Sequence, residues 1–319
     1  MNETNQNIIF GPVPSRRLGK SIGINNIPPK RCTYSCVYCQ LGRTIHMQIN
    51  RESFYKPKEI IQKTKKKISQ AKKNKEDIDY LTIVPDGEPT LDENLGMLIK
   101  KLKKFSYPVA VITNGSLLFR EDVRNELYNA DWVSIKIDAI KEKTWKQIDR
   151  PHGKLNHENI LHGIKQFSKT YAGKLCTETM LIKNVNNKTD ELKRLAQFIK
   201  PVKPKTSYLS IPTRPPAESW VQPASEKTIT KAYKLFTEKQ ISTEYLIGYE
   251  GNKFAYTGNA EDDILSITAV HPMRHDAVEE LLKKANENWN LIEQLIKQKK
   301  IVKHTLDHNT FYSRKLPER

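Results

Sequence analysis

Short β-branched runs alternate with stretches of helical periodicity through the first 211 residues of this chain. Ser21 to Asn25 reads as a first strand. Lys58 to about Lys73 reads as a helix, with Ile60, Ile61, Ile68 and Ala71 forming a narrow apolar stripe among lysines. Asp77 to Val84 then turns apolar and β-branched, as a buried strand does. The format repeats with helix Leu95 to Phe105, strand Val109 to Thr113, helix Arg120 to Asn129 and strand Trp132 to Asp138. A helix containing Thr144, Trp145 and Ile148 and a second from Glu158 to Thr170 lead to strand Lys174 to Ile182, helix Thr189 to Ile199 and strand Thr206 to Ile211. Six strands, the first five each followed by helix, predict an α/β fold on a parallel sheet.

Along Trp132 to Asp138, Ser134, Lys136 and Asp138 share one face while Val133, Ile135 and Ile137 take the other. A strand with one polar face does not sit between two helical layers, so the pattern points to a barrel lumen that holds a polar ligand. A solvent-facing edge strand is the plainer alternative. Beyond Ala224 the rhythm changes. Glu226 to Lys239 reads as helix and Glu244 to Gly258 as strand-like; three helices follow at Ala260 to Ala269, Met273 to Ala285 and Asn288 to Lys300. Ile301 to Thr305, a turn at Asp307 to Thr310, and Phe311 to Arg314 complete a hairpin. The expected organisation is a barrel over 1–222, a connecting segment over 223–258 and a small domain over 259–319.

The chemistry concentrates in Cys32-Thr33-Tyr34-Ser35-Cys36-Val37-Tyr38-Cys39. Three thiolates at this spacing let a short loop curl its sulfurs toward one corner of an iron-sulfur cube, and with no fourth cysteine in the run one iron stays open to a ligand. A zinc knuckle would want a fourth Cys or His close by, and a disulfide loop is poorly served by an odd cluster. The strand at Asp77 to Val84 ends in Pro85-Asp86-Gly87-Glu88-Pro89-Thr90, where a glycine beside a carboxylate allows close backbone approach and offers an acceptor for an ammonium group. Arg16 and Arg17 bring two cations near the cysteine loop, as a receiver for a carboxylate or phosphate or as a structural ion pair. His152, in Asp149-Arg150-Pro151-His152-Gly153, and Cys176 are plainer: an incidental loop histidine and a small core residue.

The CxxxCxxC loop, with an aromatic before its last cysteine, resembles the signature of the radical SAM enzymes. The resemblance implies that Cys32, Cys36 and Cys39 hold a [4Fe-4S] cluster and that S-adenosylmethionine chelates the open iron. It implies reductive cleavage to a 5′-deoxyadenosyl radical that abstracts hydrogen from a substrate. The Asp86-Gly87-Glu88 turn resembles that family's GGE motif, with Asp86 in place of the first glycine, so Gly87 and Glu88 would meet the cofactor's methionine moiety. Tyr38, Asn114, Lys136 and Asp138 would serve its adenosine side. Six βα units resemble the partial (β/α)6 barrel of that family over roughly residues 10–222, and the C-terminal helices and hairpin resemble a winged helix-turn-helix. In that unit Asn288, Asn290, Gln294, Lys297 and Lys300 would face a groove or partner. The phrases FGPVPSRRLG, CVYCQLGRT, DGEPTLD, ITNGSLL, IDRPH and PTRPPAESW resemble a prokaryotic group distantly similar to the tRNA wyosine-forming enzymes. Those enzymes carry a second cluster, and with only Cys176 remaining the wyosine reaction does not carry over.

Composition narrows the partners. The chain has 319 residues, a net charge of +18 and four cysteines. Such an excess of cations favours a polyanion such as a nucleic acid over a purely small-molecule partner, a lysine-rich proteome or a saline cytoplasm being the plainer alternative. No apolar run approaches the ~20 residues that span a bilayer, and the N-terminus lacks signal-peptide character, so a cytoplasmic location without membrane contact is expected. Cysteines kept for iron suit a reducing compartment, and an electron donor such as flavodoxin or ferredoxin is expected. The leading reading is a radical SAM enzyme modifying tRNA. A radical SAM enzyme acting on a protein or metabolite, for example a glycyl-radical activase, is the second, and a non-catalytic iron-sulfur DNA-binding regulator the third.

Overall fold

The computed structural model describes residues 8–246, 254–270, 272–306 and 309–315. Two strands, β1 (Ile9–Ser15) and β2 (Gly19–Ile24), open the chain as an antiparallel pair with an irregularity between Phe10 and Val13. Then come α1 (Pro57–Lys73), β3 (Tyr80–Ile83), α2 (Leu95–Leu102), β4 (Val109–Thr113), α3 (Glu121–Leu127) and β5 (Trp132–Lys136). They are followed by α4 (Glu142–Ile148), α5 (His157–Thr170), β6 (Lys174–Met180), α6 (Thr189–Val202), β7 (Thr206–Ser210), α7 (Glu226–Thr237) and β8 (Thr243–Leu246).

The eight strands form one sheet whose spatial order is their chain order, parallel from β2 to β8. Right-handed crossovers laid down in sequential order place every helix on one face, so the sheet curls toward a barrel. With β1 and β8 at its two ends the barrel is open. The Arg16 guanidinium, just past β1, donates to the Leu246 carbonyl of β8 at 2.6 Å and spans the seam.

The parallel α/β architecture agrees with the sequence, and two strands are added to the expected six. β1 contains Pro12 and Pro14, which an edge strand tolerates and which disguise it as an irregular segment. β8 has only four residues, and with α7 it carries the sheet past residue 222, where a domain boundary was expected. Residues 247–253 of the expected strand-like segment, and Asp307 and His308 of the expected turn, lie outside the described residues.

Alternation divides the strands between two cores. Ile22, Ile24, Leu81, Ile83, Val111, Val133, Ile135 and Leu209 pack outward against the helices through Leu98, Ile164, Phe167, Leu195 and Ile229. The opposite faces supply a lumen floor of Ala110, Trp132, Cys176, Tyr208 and Leu246, plugged by Leu18 from the β1–β2 turn. Cys176, 2% exposed, is a small core residue there.

The C-terminal unit comprises α8 (Ala260–Val270), β9 (Met273–Arg274), α9 (His275–Ala285), α10 (Asn290–Lys297), β10 (Ile301–Leu306) and β11 (Asn309–Arg314). Its antiparallel sheet has the order β9-β11-β10. The helix expected from Met273 starts at His275, because buried Met273 pairs with Tyr312 as a short strand. Phe10 and Val13 of β1 belong to this unit's core, and Lys67 of α1 pairs with Asp263 at 3.1 Å, so the unit is seated on the open edge of the barrel.

Candidate active site

The loop after β2 is held against the sheet before it presents its cysteines. Lys30 adopts φ +63°, its N–H donates to Asp86 O at 2.7 Å, and its carbonyl accepts from Ile45 and His46. Cys39 N–H bonds to Cys36 O at 3.1 Å and Gly42 N–H to Cys39 O at 3.0 Å, two successive turns that curl the loop. Cys32, Cys36 and Cys39, all free, therefore face one cavity of about 310 Å³ at the C-terminal ends of the strands. Tyr38, Gly87, Glu88, Asn114 and Lys136 line the same cavity.

Burial pushes the Cys32 thiol up to about 12, with the charge of Glu88 adding to it, and burial raises Cys36 and Cys39 as well. Such thiols ionise when a metal cation compensates them. Cys32 Sγ receives the Tyr34 N–H at 3.5 Å and Asn114 Nδ2 at 3.6 Å, contacts that favour a thiolate. Among the described residues no group of three or more His, Cys, Asp and Glu side chains converges as the ligands of one ion. Three free thiols lining one cavity are of the donor type that iron-sulfur clusters use.

The second wall is the turn after β3. Glu88 is 1% exposed, and its Oε1 accepts from Thr90 N, Thr90 Oγ1 and Thr113 Oγ1 while Oε2 accepts from Asn114 N at 2.8 Å. This carboxylate ties β3 to β4. Asn114 Nδ2 donates to Thr33 Oγ1 at 2.8 Å, and Thr33 meets Ser116 at 2.7 Å, so the end of β4 also fixes the cysteine loop. A Cβ on Gly87 would stand 1.8 Å from the Arg31 carbonyl, so the glycine is required where the two loops touch. Asp86, 3% exposed, has an Oδ1 without a hydrogen-bond partner, and burial pushes its carboxyl up to about 8 against the pull of Lys30 and Arg314.

Inside the lumen, Lys136 Nζ lies 3.1 Å from Glu178 Oε1 and 4.8 Å from the centre of the Tyr38 ring. Arg17 pairs with the other oxygen of Glu178, and Ser210 Oγ donates to Oε1. Burial alone would raise Glu178; Arg17 and Lys136 outweigh it and hold its carboxyl at about 2. Asp138, two residues beyond β5, stands behind the cavity. It accepts from the Tyr38 hydroxyl and from Met180 N–H at 2.7 Å. Asp149 receives the Cys36 thiol at 3.4 Å, and burial together with the charge of Asp138 raises it well above the usual carboxylate range.

Two supports brace the loop from outside. The Tyr34 hydroxyl accepts from Trp145 Nε1 at 3.1 Å, and Trp145 stacks on His157 at 4.5 Å. Glu218, whose N–H bonds to Val37 O, accepts from Arg43 Nε at 2.7 Å and Arg150 at 2.5 Å.

Eight of the nine residues expected from sequence meet in this cavity, and the ninth, Asp138, reaches it through Tyr38. His152 does not: its ring accepts the Lys154 N–H within its own loop. Glu178, Asp149 and Asp86 were not foreseen as site residues. The alternation of Cys176, Glu178 and Met180 along β6 was the signal for Glu178; Asp149 carried none beyond its place in IDRPH.

An open parallel barrel with three free thiols at its mouth is matched by the sequence pattern of the radical SAM superfamily over residues 26–199, more than half the chain. The chain belongs to that superfamily and is an enzyme of it. Within it the chain falls among the UPF0026 proteins. It is 45% identical over 314 residues to UPF0026 protein MJ1312 of Methanocaldococcus jannaschii, covering 98% of this chain and 97% of that one. A UPF0026 protein of Helicobacter pylori is 34% identical over 277 residues, 86% of this chain and 87% of its own. A radical SAM methyltransferase from Sphaerobacter thermophilus superposes with a TM-score of 0.53 at 11% identity, over 71% of this chain and 66% of that one, a likeness of fold. Members of the superfamily bind a [4Fe-4S] cluster and S-adenosylmethionine.

Proposed function

We propose that Cys32, Cys36 and Cys39 hold a [4Fe-4S] cluster and that S-adenosylmethionine binds beside it in the same cavity. Once reduced, that pair supplies homolytic cleavage of the cofactor and a 5′-deoxyadenosyl radical that takes a hydrogen atom from the substrate. The chain's own residues bind and orient. Gly87 lets the backbone of the β3 turn lie against the cysteine loop, and Glu88 locks that turn to Asn114, so both present methionine-binding groups at fixed distance. Asn114 and Lys136 offer donors to the adenosine side, and Asp138 fixes the Tyr38 ring through its hydroxyl.

The observation that carries this reading is that one cavity gathers three free thiols with Lys136 and Asn114. Anaerobic reconstitution with iron, sulfide, dithionite and S-adenosylmethionine should give 5′-deoxyadenosine. A Cys36→Ala variant that forms as much would overturn it.

The substrate we read as a nucleic acid, tRNA foremost, with flavodoxin or ferredoxin as electron donor. The charge of +18 supports it. So does the C-terminal order helix, strand, helix, helix, strand, strand, which suits a winged helix. Asn290, Gln294 and Lys297 lie exposed on α10, while Lys300 is paired with Glu261 at 2.6 Å. Filter binding of tRNA should fall steeply with added salt; no binding at low salt would remove the nucleic-acid part. An activase, which needs an open mouth for a peptide loop, is disfavoured by β10 and β11, which stand beside the cysteine loop.

A further inference from the structure

A second cavity, of about 410 Å³, lies between the cysteine loop, the Pro215–Ala217 loop and the C-terminal strands β10 and β11. It shares Lys30, Gln40, Leu41 and Gly42 with the cavity of the three cysteines, so the two spaces adjoin along that loop. No Asp or Glu lines it among the described residues. Its ionisable groups are Lys30, His304, Arg314 and Lys315.

Two of these are built into place. Lys30 is 8% exposed, and its left-handed backbone is held by three hydrogen bonds that aim the side chain along the junction, where Nζ donates to Arg43 O at 3.2 Å. A non-glycine residue kept at positive φ by its surroundings is a feature that collects at functional positions. Arg314, at the end of β11, lies near enough to Asp86 for their charges to interact, and its guanidinium has no hydrogen-bonded partner among the described residues. His304 is oriented by Ser313 at 2.7 Å.

We propose that Lys30 and Arg314 form a seat for a phosphate group of the substrate, with the phosphate in the groove and the reacting part of the molecule reaching into the neighbouring cavity. Taken with the nucleic-acid reading proposed above, on which this step rests, the substrate is then a nucleotide, free or within RNA. A planar guanidinium and an ammonium lining one groove from two parts of the chain suit a phosphate's several oxygens. Asp86 is the acid whose charge interacts with both, and its raised carboxyl limits the repulsion a phosphate would meet. The size of the groove lies within the range of small-ligand sites. The seat is assembled only because the C-terminal unit packs on β1, which gives that unit a part in substrate selection distinct from its exposed helix α10.

The placement of the reacting part rests on the proposed cluster site, and the test separates the two. Calorimetry on the reconstituted protein would use guanosine, GMP, GTP and bulk tRNA as probes. Binding of GMP or GTP but not guanosine supports a seat for a free nucleotide; binding of tRNA alone, weakened by Arg314→Glu, supports one for RNA phosphate. Arg314→Glu should weaken the phosphate-bearing probe by about tenfold or more, and Arg314→Lys should restore most of the affinity. Equal affinity for guanosine and GMP with no tRNA binding, or an Arg314→Glu variant binding as well as wild type, overturns the seat. Wild-type protein that forms 5′-deoxyadenosine yet binds no phosphate-bearing probe loses only the seat; one that binds them but forms none keeps the seat and loses the cluster reading.

Discussion

Gly87 lies against the carbonyl of Arg31 so closely that a Cβ on it would stand 1.8 Å from that oxygen. The contact joins the turn after β3 to the loop that carries the first cysteine, one residue before Cys32. Gly87→Ala must part the two loops, and overpacking of this kind costs about 1 to 3 kcal/mol. The expected outcome is a lower urea midpoint together with reduced iron retention. An alanine variant that keeps wild-type stability and iron would show that the loops separate without consequence.

Cys176 lies on the lumen floor while the other three cysteines face the cavity. Alanine at Cys32, Cys36 or Cys39 should each abolish the bound iron and its visible absorbance. Cys176→Ala should keep both and lose about 1 kcal/mol of stability, the typical cost of a point change in a core. Iron analysis of the four variants, reconstituted side by side, decides it.

Glu178 neutralises Arg17 and Lys136 within the lumen. Glu178→Gln leaves two partly buried cations without their partner and should destabilise the fold by up to about 3 kcal/mol. With its carboxyl at about 2 in the folded chain and near 4.5 when exposed, the unfolded chain binds more protons between those values. Its contribution is therefore complete above pH 4.5 and is lost as the pH falls toward 2. Urea unfolding across that window should give a shallower acid loss in the variant than in wild type.

His157 stacks on Trp145, and burial lowers its pKa below the ordinary 6.5. The unfolded chain takes up the proton first, so stability is present above pH 6.5 and declines as the pH falls through that value. His157→Phe keeps a ring against Trp145 and should flatten this part of the profile. Thermal melts at pH 7.5 and 5.5 would read the difference, and an unchanged slope in the variant would assign the decline to other groups.

Local pattern was sufficient for much of the molecule. Strand runs at Val109 to Thr113 and Thr206 to Ile211 match the structure within a residue at each end, because β-branched and apolar residues bounded by turn signals leave little choice. The three cysteines, Tyr38 among them, and the Asp86-Gly87-Glu88 turn were legible because the chemistry of each lies within a few consecutive residues. β1 was not, since its prolines are the mark of an irregular segment until a neighbouring strand is there to pair with it.

The sequence by itself determined the parallel α/β plan, the grouping of three thiols and the polar face of β5, all properties of spacing and alternation. It left open which distant groups would share the lumen. Arg17 and Glu178 stand 161 residues apart, and Asp149 reaches Cys36 across 113. Alternation says which residues of a strand share a face, but only the curl of the sheet makes that face an interior, where burial and opposite charge then set what each group does. The same closure, with the C-terminal unit seated on β1, brings Arg314 to Asp86 at the mouth, a meeting that no run of neighbouring residues encodes.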